Sequence, residues 1–89
     1  MSRELTTQER LALAAEYEAA TRLHQQALER SADASEVERL AKRADAARDA
    51  LSRAYVEITS FTSRAPLRAW VDVDAGTYEK AVQDALSVP

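Results

Sequence analysis

Apolar residues recur through the middle of this chain at alternating steps of three and four. Val37, Leu40, Ala44, Ala47, Leu51, Ala54, Ile58 and Phe61 fall into one unbroken heptad register. That spacing predicts a long amphipathic helix with a narrow, alanine-rich seam that suits close approach of another helix. Ser35 and Glu38 have capping-box spacing, and Glu36 and Glu38 suit the positive end of a helix dipole, so the helix is predicted over about 36–62. Glu38–Lys42 and Asp49–Arg53 stand at i, i+4 on its outer face.

A second helical pattern precedes it. Thr6 and Glu9 form another capping-box pair, and the helix they open is predicted over about 7–30. At about 100° per residue, Leu13, Tyr17, Ala20, Leu23, His24, Ala27 and Leu28 share one side. Glu18, Arg22, Gln25 and Glu29 are assigned to the opposite, solvated side, with Glu18 and Arg22 at favourable i, i+4 spacing. The break at Ser31-Ala32-Asp33-Ala34-Ser35 is short, so the two helices are expected to be antiparallel neighbours. A two-helix hairpin is one layer thick and cannot cover both of its faces.

The period changes near Thr59. Leu67, Ala69, Val71 and Val73 alternate with Arg68, Trp70 and Asp72, which favours a short extended strand; a short helix started by Pro66 is the competing reading. Asp74 has the position of an N-cap for a last helix over about 75–87, with Tyr78, Val82 and Ala85 or Leu86 as its stripe. The expected class is therefore all-α in the main. Residues 1–63 form a helical hairpin, and 64–89 add an extended segment and a C-terminal amphipathic helix to the same small domain.

Size sharpens the expectation of association. A chain of 89 residues buries only about 60–65% of its unfolded surface. It has no cysteine to supply a disulfide framework or thiolate metal site. A homo-oligomer is expected, with a dimer favoured: two hairpins joined in a four-helix bundle through the heptad seams. The net charge of −3 is spread evenly, with no block of either sign. No apolar run approaches a membrane span, and Met-Ser-Arg-Glu leads into a polar segment, so a cytoplasmic protein is expected. Ten arginines against two lysines, with abundant alanine, suggest a GC-rich bacterial or phage genome.

Candidate chemistry is sparse. His24 has no second histidine, no cysteine and no Glu-x-x-His partner motif, so it reads as a histidine at the seam edge, and no metal or cofactor is expected. Glu16 lies beside Leu13 and Ala20 and reads as a register-setting carboxylate paired with an arginine of the second helix. Arg39, Lys42, Arg43 and Arg53 share a flank with Asp49 and Glu57 and without interleaved aromatics, so nucleic acid is an unexpected partner. Trp70, Tyr78 and Arg68 are the candidate contacts to a protein partner, although Trp70 could equally cap the hairpin core. No nucleophile arrangement can be argued from spacing, and the single glycine, Gly76, excludes a glycine-rich phosphate loop.

Two families bear comparison. Secreted WXG hairpins carry Trp-x-Gly in the inter-helix turn and Tyr-x-x-x-Asp/Glu after the second helix. This turn has neither residue, and Tyr78 is followed by Val82, so the chain does not resemble them. The stretch from Leu67 to Val82 resembles the strand and first helix of ribbon–helix–helix regulators over about 20 residues. That resemblance implies dimerisation through a paired strand, with Asp72 placed toward the DNA backbone where an acid is out of pattern. The expected function is a non-enzymatic assembly, docking or adaptor module. A DNA-associated regulator or antitoxin-like protein is the first alternative, and an accessory subunit of a larger enzyme the second.

Overall fold

The structure, a computed structural model, describes residues 5–54 and 65–87. Four helices follow one another: α1 Thr7–Glu29, α2 Ala34–Ala54, α3 Ala65–Val71 and α4 Ala75–Leu86. No strand occurs among the described residues. Ile58 and Phe61 of the heptad register, the predicted end of the second helix and the side chain of Ala54 lie outside what is described.

α1 begins as its sequence predicts. The Thr6 hydroxyl accepts from the Glu9 amide at 3.1 Å, and the Glu9 carboxylate accepts from the Thr6 amide at 3.0 Å. The helix ends in a Schellman turn: the Ala32 amide donates to the Ala27 carbonyl at 2.9 Å and the Ser31 amide to that of Leu28 at 3.3 Å. Ser31 takes the left-handed conformation this turn requires, with φ 54°. α2 then starts two residues before the position predicted. Asp33, not Ser35, is its cap, accepting from the Glu36 amide and the Ser35 hydroxyl at 2.9 Å each. An aspartate caps as well as a serine and adds a full negative charge at the positive helix end. Glu38 pairs with Lys42 at 3.2 Å instead of closing a capping box.

The expected strand is a helix. Pro66 falls in the first turn of α3, where its missing N–H costs nothing. Leu67 and Val71 are buried and Trp70 is half-buried, an i, i+3, i+4 pattern, while Ala69 is exposed. A strand would have placed Ala69 on the same side as Leu67 and Val71. The strand that the ribbon–helix–helix resemblance requires is therefore absent. Asp72, at φ 62°, ends α3, and Asp74 caps α4 by accepting from the Thr77 amide at 2.6 Å.

α1 is the hub of the molecule. α2 packs on one side of it, and α3 and α4 fold back over another. Leu11, Ala14, Ala15 and Ala19 of α1 meet Leu51 of α2, Leu67 and Val71 of α3, and Tyr78 and Val82 of α4 in one core. The seam residues Leu40, Ala47 and Leu51 are buried within the single chain. α3 and α4 thus cover surface of α1 that a bare hairpin would leave open.

Candidate functional site: a groove where three helices meet

Glu16 and Glu18 are two residues apart, so they point about 200° apart around α1. Glu16 faces α2. Both its oxygens accept from Arg43, from Nε at 2.7 Å and Nη2 at 2.9 Å. This is the cross-helix pair expected from the position of Glu16. Its hydrogen bonds raise the pKa of Arg43. Arg43 Nη2 also donates to the Ala85 carbonyl at 3.1 Å, so one guanidinium ties α1, α2 and the end of α4 together.

Glu18 faces α4, and here the sequence expectation fails. Glu18 is not on a solvated side; it is 2% exposed. The Tyr78 hydroxyl donates to its Oε1 at 2.9 Å, and Arg22 pairs with its Oε2. Arg22 reaches on to Glu79 at 3.1 Å, and the Glu79 hydrogen bond is the main cause of its raised pKa. Tyr78, expected as a partner contact, is itself only 4% exposed and lies inside the chain's own core.

Arg10 lies over the Trp70 ring at 5.7 Å from its centroid, and its Nη1 donates to the Trp70 carbonyl at 3.4 Å. Trp70 packs half-buried against the core, the capping role that its position also allowed. Arg68 is exposed. His24 and Leu23 are half-buried, as are Leu13 and Tyr17, while Ala20 and Ala27 are buried. Leu28, placed on the same apolar face by periodicity, is 51% exposed. No group of three or more metal-ligating side chains that could hold an ion occurs among the described residues.

Between the α2-facing and α4-facing sides of α1, the C-terminal half of the helix leaves a crevice. Leu23 and Gln26 of α1, its C-cap Arg30, Glu36, Arg39, Leu40 and Arg43 of α2, and Leu86 of α4 line a groove of about 190 Å³. Pockets for cofactors and drug-sized ligands span about 300–1,000 Å³. This one accommodates one or two side chains. Its rim is ordered by charge: Arg30 pairs with Glu36, whose carboxyl is held below its usual pKa chiefly by that hydrogen bond. Periodicity located Leu23 and Leu40 but not the groove, which depends on where α4 ends.

No protein-family model, curated protein or solved structure matches the chain. The geometry of the groove and its surrounding clamps carries the functional reading. No helix among the described residues is long and apolar enough to cross a membrane.

Proposed function

We propose that this chain is a non-enzymatic docking or adaptor module, in which a small helical body presents the α1–α2–α4 groove to a protein partner. The observation that carries this reading is the groove: Leu23, Leu40 and Leu86 stand beside arginines in a crevice sized for a partner's side chains. Arginine is among the residue types enriched where a few contacts dominate binding, and the leucines supply apolar surface for a partner to cover. The clamps on either side support it, because a docking surface gains affinity when its walls are already in place. Arg43 fixes one wall through Glu16 and the Ala85 carbonyl, and the Glu18–Tyr78 contact fixes α4 on α1. The heptad seam gives less support to a homodimer than its pattern alone did, since Leu40, Ala47 and Leu51 are covered within one chain.

Gln26→Trp tests the reading. Gln26 is exposed at the groove, so a bulky side chain there obstructs the crevice without touching the core. The tagged wild-type chain is expected to retain a protein partner from its native cells that the Gln26→Trp chain releases. Sedimentation equilibrium of the purified chain provides the second arm. A partner held equally by both chains would rule out the groove. A concentration-dependent dimer dispersed by Ala47→Glu, with helicity intact, would return the function to the seam.

A further inference from the structure

The charge around the groove points to the chemistry of its occupant. Three arginines and one glutamate line it, in a chain whose net charge is −3. Two of those arginines are engaged: Arg30 with Glu36, and Arg43 with Glu16 and the Ala85 carbonyl. Arg39 differs. It is exposed, lines the same crevice as Leu40 and Leu86, and has no hydrogen bond or ion pair among the described residues. Its charge reaches Glu36 only through space, as a minor contributor to the lowered carboxyl pKa there.

We infer that the groove takes an acidic, leucine-bearing protein segment, with an aliphatic side chain on Leu23, Leu40 and Leu86 and a carboxylate on Arg39. This rests on the docking reading above and adds the class of partner to it. A guanidinium presents a planar fork of donors that matches a carboxylate in a bidentate pair. The adjoining leucines decide between anions. A free phosphate or a nucleic-acid backbone would satisfy Arg39 but leave the apolar wall wet, whereas a leucine beside an acid satisfies both. Arg39, whose charge is not offset by an ion pair among the described residues, disfavours a basic segment.

The experiment is an NMR titration of the isotopically labelled chain with short acetylated peptides alternating leucine with aspartate and glutamate, with serine, or with lysine. The acidic peptide is expected to shift the amides of Leu23, Arg39, Leu40 and Leu86 and to weaken with added salt. Arg39→Glu is expected to lower its affinity about tenfold or more, and Arg39→Ala by less. Arg48→Glu, the same charge change on the opposite face of α2, is expected to leave it unchanged. Arg39 is exposed, and an unaltered circular dichroism spectrum shows that its variants keep the fold. Equal binding of the serine or lysine peptide at these amides would overturn the acidic partner while leaving the groove a docking site. Duplex DNA shifting the same amides in place of the acidic peptide would overturn it in favour of a nucleic-acid backbone. Shifts from none of the probes would also overturn it, and the Gln26→Trp partner comparison would then judge the docking reading separately.

Discussion

Ser31 occupies a backbone region that costs a side-chain-bearing residue about 1–2 kcal/mol, because its Cβ crowds the following carbonyl. The Schellman turn holds it there at φ 54°. Glycine removes that cost but gives up about 0.5–1 kcal/mol of backbone entropy. The first effect is the larger, so Ser31→Gly is expected to stabilise the chain by up to about 1 kcal/mol, read as a higher urea midpoint with an unchanged slope. A lower midpoint would mean that the turn does not constrain this residue in solution. The two aspartate caps make a different prediction. The backbone amide of Glu36 chiefly lowers the pKa of Asp33, and that of Thr77 the pKa of Asp74. Each folded-state pKa is therefore below its unfolded value of about 3.9. Their contribution is complete above that value and is lost as pH falls through the lower, folded one. Asparagine caps nearly as well and does not titrate. The Asp33→Asn, Asp74→Asn double variant should lose less melting temperature than the wild type between about pH 5 and about pH 2. Parallel losses would assign the acid sensitivity to other carboxylates.

At the scale of the helix, α1 explains what the sequence could and could not reveal. Its start was legible because Thr6 and Glu9 interact within one turn, and local chemistry suffices. Glu16 was legible because a carboxylate among Leu13 and Ala20 has to find a cation, and Arg43 supplies it. The second buried side was not. It is built from Leu11, Ala15, Glu18 and Ala19, and an i, i+4 Glu18–Arg22 pair reads as a solvated face unless another helix is known to cover it. The same long-range dependence hid the helical state of 65–71, where period two and period 3.6 share Leu67 and Val71 and only the exposure of Ala69 separates them. Because Glu18 is buried, its hydroxyl partner matters. Tyr78→Phe keeps the ring in the core but leaves Glu18 Oε1 without that donor. A hydrogen bond to a charged group contributes about 1.5–3 kcal/mol. We expect Tyr78→Phe to destabilise by at least about 1 kcal/mol in urea unfolding, and the additional substitution Glu18→Leu to recover part of the loss. A neutral Tyr78→Phe would show that water or Arg22 alone satisfies the carboxylate.

The whole molecule depends on α4 for its second layer. Small domains are stable by only about 5–15 kcal/mol, so a single uncovered face is a large fraction of the total. α1 and α2 bury Leu40, Ala47 and Leu51 between them, yet Leu11, Ala15 and Glu18 need α3 and α4. Ending the chain after Asp72 removes Tyr78 from Glu18, Glu79 from Arg22 and the Ala85 carbonyl from Arg43 at one stroke. It also removes Val82 from the core. The remaining α1–α3 body has Glu18 and an alanine-rich face of α1 opened to water. Two results are consistent with this account: loss of the cooperative thermal transition, or concentration-dependent association that covers the exposed α1 face with another copy. The second would recreate between chains what α4 does within one. Circular dichroism melts and sedimentation equilibrium on the shortened chain distinguish the two. A cooperative monomer that melts at the wild-type temperature would show instead that the α1–α3 body is self-sufficient, and that α4 serves the groove more than the core.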